Sequence, residues 1–315
     1  MKRTIKDYLL VSLKGIAMGA ADVIPGVSGG TIAFISGIYE ELIDSIKAVN
    51  LKTLKLLFSG KTAEFGEAVN GRFLLALLLG IGISILSLAR LMQYLLDHHP
   101  ILIWSFFFGL IIASAIYIAK GIRGWNIGTI LSLLAGTVIA YLITVITPAE
   151  ANTTYPFIFL SGAIAICAMI LPGISGSFIL VLLGMYRFIL GALTAFNIPV
   201  ILVFIAGAGI GIVLFSNVLS WLLHHHYKPT IALLAGFMVG SLNKVWPWKE
   251  VTATFVDRHG VIKPLTEQNI SPGQYFSLTG HESQVVYAIL LAAFGFALIF
   301  IIEGISVRLK KPVHL

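Results

Sequence analysis

Long apolar stretches separated by short polar punctuation fill most of this chain. Six uninterrupted apolar runs, roughly 73–96, 101–119, 127–147, 199–223, 229–246 and 285–307, are candidate bilayer crossings, since a helix needs about 20 residues to span the hydrocarbon core. Two further apolar regions, 8–48 and 157–195, are interrupted near their centres. Each half then runs to about 15–18 residues, short for a crossing. The pattern predicts, in each region, a re-entrant helical hairpin that enters and leaves by the same face.

The two interruptions share one sequence. Residues 24–39 read IPGVSGGTIAFISGIY and residues 171–186 read LPGISGSFILVLLGMY. Pro25 and Pro172 break the incoming helix, and the glycines after them allow tight backbone and close approach of a neighbour. Irregular backbone at membrane depth survives only where protein or a watery cavity satisfies its polar groups. Paired interruptions at matching positions of two halves point to a transporter's binding site. The correspondence extends further. A shift of 147 residues aligns the islands, and a shift of 127 aligns Gly80 with Gly207, His98 with His225, Gly109 with Gly236 and Ser114 with Ser241. Residues 49–71 supply the extra connection of the first half, and their pattern, LKTLKLLFSGK, predicts a basic amphipathic helix on the membrane surface.

Composition and charge sharpen this picture. The chain has 315 residues, 58% hydrophobic and 11% charged, against about a quarter charged in soluble domains. A net charge of +7 does not indicate nucleic acid, because the basic residues cluster at the ends of apolar runs as a topology signal. Placing Lys47, Lys52, Lys55, Lys61, Arg72, Lys120, Arg123, Lys228 and Arg308 inside puts both termini in the cytoplasm. The 247–284 loop then lies outside, where VTATFVDRHGVIKPL predicts a small β-hairpin around His259 and Gly260. Each half has one hairpin and three crossings, and an odd number inverts the second half. The expected fold is an all-α polytopic membrane protein of two inverted repeats, 1–147 and 148–315, with that hairpin outside.

The islands also carry the candidate chemistry. The outgoing half-helices start near Ser28 and Ser175, where unpaired N–H groups and the helix dipole favour an anion. The expected phosphate contacts are Gly26, Ser28, Gly29, Gly30 and Thr31 from the first island, and Gly173, Ser175, Gly176 and Ser177 from the second. Arg90 and Arg187 are added because a guanidinium grips phosphate with forked hydrogen bonds; snorkelling to the interface is the alternative. Asp22, three residues before Pro25, either carries a proton or cation or caps neighbouring backbone. Glu40 aligns with Arg187 across the repeat and is a candidate gate. A coupling proton or sodium ion through Asp22 or Glu40 stays open. No metal, cofactor or catalytic set is expected: Cys167 is the lone cysteine, and the adjacent histidines at 98–99 and 224–226 diverge around their helices.

On GAADVIPGVSGGTIAFISGIYEELI (19–43) and LPGISGSFILVLLGMY (171–186), the chain resembles the membrane family known as DUF368, the PopT-like group, over essentially its whole length. The resemblance implies a non-enzymatic flippase of the bacterial cytoplasmic membrane that returns undecaprenyl phosphate, a polyprenyl phosphate carrier of cell-envelope precursors, to the inner leaflet. A transporter of a small soluble anion would share the architecture and is the competing expectation.

Overall fold

A computed structural model describes residues 3–22, 28–146, 152–256 and 262–309. The interrupted first region forms α1 (Ile5–Asp22), α2 (Gly29–Ile35) and α3 (Tyr39–Lys47). The connection forms α4 (Leu51–Phe58) and α5 (Thr62–Ala68), followed by α6 (Gly71–His98), α7 (Pro100–Gly121) and α8 (Ile127–Val145). The second interrupted region forms α9 (Tyr155–Ile170), α10 (Gly176–Leu182) and α11 (Tyr186–Thr194). Then come α12 (Ile198–His225), α13 (Tyr227–Ser241), strands β1 (Lys249–Val256) and β2 (Ile262–Asn269), α14 (Pro272–Thr279) and α15 (Val285–Leu309).

Among the described residues, four helices, α6, α7, α8 and α12, are long and apolar enough to cross a membrane, and α10 with α11, bent by 113°, would make a fifth if counted as one span. Of the six runs expected above, these four stand as long helices, and the run at 285–307 forms α15, 25 residues long. The described apolar stretch of α15 is Val285–Ile301. The run expected over 229–246 is helical only to Ser241. Its last polar residues leave the helix for partners elsewhere: Asn243 donates to Thr144 Oγ1 at 2.7 Å and accepts from Asn269. The expected surface helix is likewise two helices, because Gly60 turns at φ +78° between them. Asn50 caps α4 in a capping box. The β-hairpin pairs antiparallel from Lys249 opposite Asn269 to Val256 opposite Ile262; the expected turn at His259 and Gly260 lies outside the described residues.

Lipid offers no hydrophobic drive for helices to associate, so tight packing on small residues takes its place. Four helix pairs dominate: α1 with α6, α9 with α12, α7 with α15, and α8 with α13. Each closes on glycine. A Cβ on Gly80 would strike the Ser12 carbonyl, and one on Gly207 the Phe159 carbonyl. On Gly109 it would strike the Ala292 carbonyl, and on Gly236 that of Leu133. These are the glycines that the 127-residue shift aligns. The centre belongs to α7 and α13, which pack on each other and bury Ile111, Leu234 and Met238 completely. In α7, 61% of the span is buried, against 17–22% in α6, α8 and α12; those three helices ring the centre and turn their leucines outward.

Candidate functional site

The half-helices α2 and α10 end in the same way. Ile38 N–H bonds the Ala33 carbonyl and Gly37 N–H that of Phe34; Met185 bonds Leu180 and Gly184 bonds Val181 in the same pattern. Both are Schellman caps, with Gly37 at φ +70° and Gly184 at φ +68°. They bend the chain sharply into α3 and α11 and leave the starts of α2 and α10 pointing back into the molecule.

There the two islands touch. The Ser28 hydroxyl lies 3.1 Å from the carbonyls of both Met169 and Leu171. The Gly173 N–H donates to Thr31 Oγ1 at 3.0 Å. Gly30 sits so close to the Ile170 carbonyl that any side chain would collide with it. Gly173, at φ +86°, is similarly wedged against Phe237 and Ser241 of α13. Ser28, Thr31 and Ser175 are all buried. Ser175 and Ser177 bond each other at 2.8 Å, and the backbone of Gly176 packs against the Ala165 carbonyl. Pro25 and Gly26 lie outside the described residues.

The N-terminus of α2 is already occupied. Asp22 Oδ1 accepts from Gly29 N–H at 2.6 Å, while Ser28, the N-cap, accepts from Gly30 N–H at 3.0 Å. The donors expected at this tip are therefore met by Ser28 and by the Asp22 carboxylate, which takes the position favoured by the helix dipole. The tips touch through Ser28, Thr31 and Gly173, while Ser175, the N-cap of α10, makes no side-chain cap.

The other expected residues stand apart. Arg187 is exposed on α11, and Arg90 lies in α6 with its side chain outside what is described. Glu40 is exposed beside the Tyr227 hydroxyl. Its neighbour Glu41 is held by Arg3 and accepts from Asn70 at 2.8 Å, tying the first residues to α3 and the start of α6. Among the described residues, no group of three His, Cys, Asp or Glu is placed to hold a metal ion.

Two polar assemblies went unseen in the sequence. One is a latch between α3 and α12. Ser220 donates to Asp44 Oδ1 at 2.7 Å, Lys47 donates to Ser220 at 3.1 Å, and His224 stands 3.8 Å from Asp44. The other lies at the opposite end, where Lys244 and Lys249 each stand 3.2 Å from Glu267 Oε2. Burial pushes Lys249 down to about 8, while the two ammonium groups outweigh burial and hold Glu267 below the usual carboxylate range. The latch partners are 173 and 176 residues apart, so only a spacing signal between distant segments could have found them.

Multiple apolar helices packed on glycine around two broken half-helices define a multi-pass membrane protein of the transporter class. Residues 18–263 match the family described as VCA0040-like, undecaprenyl phosphate translocase-like, and the chain belongs to that family. It is 48% identical over 297 residues to a polyprenyl-phosphate transporter of Vibrio cholerae, covering 94% of this chain and 96% of that one. A polyprenyl-phosphate transporter of Staphylococcus aureus is 34% identical over 253 residues, 75% of this chain and 85% of its own. No solved structure matches.

Proposed function

We propose that this protein carries undecaprenyl phosphate from the outer to the inner leaflet of a bacterial cytoplasmic membrane, head group through the protein and isoprenoid tail in lipid. Family membership supports the substrate. The mechanism rests on one observation, that the two islands meet through exchangeable polar contacts. An ionised head group cannot enter hydrocarbon without replacement of its hydration. When the tips part, the Ser28 and Thr31 hydroxyls and the Gly173 N–H lose their partners across the contact and become available to phosphate oxygens, beside the Ser175–Ser177 pair of the second tip.

Two inverted repeats, 1–147 and 148–315, with both termini cytoplasmic, give the motion its geometry. The first repeat is α1–α8 and the second α9–α15. The pairing of α7 with α15 and of α8 with α13 supports this reading, because α7 corresponds to α13 and α8 to α15. Each repeat lends its last crossing to the other, and rocking between the two exposes the tips to alternate faces. In this scheme Asp22 is the coupling group. Phosphate arriving at the α2 N-terminus displaces the carboxylate from Gly29, and a displaced carboxylate in apolar surroundings takes up a proton rather than stay charged. Glu40 gates the end where α2 finishes, and Arg187 meets the head group on the other side.

The test is leaflet-resolved undecaprenyl phosphate in proteoliposomes with and without the purified protein. Accelerated exchange that weakens in Ser28→Ala is expected. Exchange no faster than in empty liposomes would remove the proposal.

A further inference from the structure

The pocket at the hairpin end has no part in the island scheme. It encloses about 440 Å³ between α8, α10, the chain after α13 and the two strands. Thr144, Phe178, Asn243, Lys244, Lys249 and Glu267 line it. Two ammonium groups share one carboxylate oxygen there, so the cluster keeps a net positive charge while its side chains are only 8% (Lys249) to 23% (Lys244) exposed. A staple for the hairpin needs one cation. Burying a second is costly, and burial already weakens the hold of Lys249 on its proton.

The second lysine is nonetheless built in. Lys249 Nζ donates to the Lys244 carbonyl at 2.7 Å and lies 4.5 Å from the centre of the Trp104 ring. Lys244 Nζ lies 4.9 Å from the centre of the Phe178 ring. Phe178 directly follows Ser177, so the pocket adjoins the first turn of α10, next in sequence to the second island. A related cavity of about 590 Å³ adjoins α2 at the other end, lined by Phe34, Tyr117, Lys120 and Phe300. The 127-residue shift places Tyr117 on Lys244. Each end thus has a lysine-bearing chamber against an island half-helix.

We propose that the pocket at the hairpin end is a docking site for a phosphate monoester head group, held by Lys244 and Lys249 in place of Glu267. Glu267 stands in for the ligand: it keeps the lysines in position while the site is empty and yields to a dianion, which outcompetes a monoanion for two cations. The proposal rests on the transporter reading and adds to it the place where the head group waits before the islands part. Polyprenyl lipid is the intended source; free phosphate has the same chemistry.

The experiment uses the full chain in nanodiscs, titrated separately with undecaprenyl phosphate and inorganic phosphate. Binding is read from the fluorescence of the tryptophans beside the pocket. Lys244→Gln should weaken lipid binding about tenfold, the worth of one charge-assisted hydrogen bond. Lys244→Arg should restore most of it, and Glu267→Gln should tighten it several-fold by removing the competitor. If the cluster only fastens the hairpin, Glu267→Gln will instead loosen binding or leave it unchanged, and the proposal falls. Equal affinity for inorganic phosphate would overturn the lipid assignment. Leaflet exchange is measured on the same samples. Active wild-type protein with unaltered binding in Lys244→Gln overturns the docking site alone, whereas wild-type protein without exchange overturns the transporter reading.

Discussion

The two islands are alike in sequence and unequal in what they do. The first reaches across: Ser28 and Thr31 both bond the second, and Asp22 closes on its own Gly29. The second answers with backbone alone, two carbonyls that accept from Ser28 and the Gly173 N–H that donates to Thr31, and keeps Ser175 and Ser177 to themselves. Where the first has Asp22, the second has Met169, whose carbonyl accepts from Ser28. The ends differ in the same sense. On the first side α3 packs across α12 under the latch of Asp44, Lys47, Ser220 and His224. The corresponding positions on α11 and α6 are Gly191, Thr194, Gln93 and Asp97, and α11 packs on α12 of its own half. A repeat supplies two equivalent frames; the departures from equivalence give the frames different tasks.

Asp22→Asn should break the comparison most severely. The amide still accepts from Gly29 but carries no charge and cannot be neutralised, so leaflet exchange should drop about tenfold or more, the scale of one lost charge-assisted hydrogen bond. The melting temperature should fall only modestly, because Gly29 keeps an acceptor and loses only its charge. Full exchange in this variant would strip the first tip of its special role.

Thr31→Val comes next. It leaves the buried Gly173 N–H without an acceptor, at a cost of about 1–3 kcal/mol. Thermal unfolding in nanodiscs should register that loss, and Ser177→Ala on the other tip should cost clearly less. Equal costs would mean that the bridge between the tips carries no more weight than the pair within one.

The latch should matter less. Asp44 and His224 are about half exposed, and solvent screens such pairs, so Asp44→Asn should weaken the α3–α12 seam by up to about 1 kcal/mol. The readout is thiol labelling of Ser45→Cys, a buried position on α3, in a Cys167→Ala background. Labelling should rise several-fold. An unchanged rate would show that apolar packing alone holds this end.

The smallest difference should lie between the two Schellman glycines. Gly37→Ala and Gly184→Ala each force a side chain into the left-handed region at about 1 kcal/mol. Nothing crowds the position of a new Cβ at Gly37, so the cost there is conformational. Matching shifts in melting temperature are expected, and a large mismatch would mean that one bend is under extra load.

Local pattern carried much of this molecule. Apolar runs marked the long helices, though not their ends. Alternation marked the hairpin strands, and the Pro-Gly-x-Ser-Gly repeat marked the segments that touch. The features that escaped are those made by distance. Asp22 meets Gly29 across a break where helical periodicity no longer relates one residue to the next. Lys249 reads in sequence only as a basic residue on the wrong side; its pairing with Glu267 depends on strand register and on Lys244 leaving α13. Gly60 lies in a pattern that remains amphipathic on both sides, so hydropathy gave no reason to divide the helix. The first tip was expected to present open N–H groups because sequence shows where donors arise and not which acceptor of the same chain reaches them first; the second, without a side-chain cap, keeps that expectation.

The crossed pairing of the central helices has a consequence for biogenesis. The glycine face of α7 fits α15, which is made long after it. Until Val285 and the residues after it are made, α7 has no partner for that face and must wait in the insertion machinery or in lipid. Closure of this seam therefore waits for α15 to be made, and a chain that stops before α15 would present an unfilled groove for quality-control proteases to recognise.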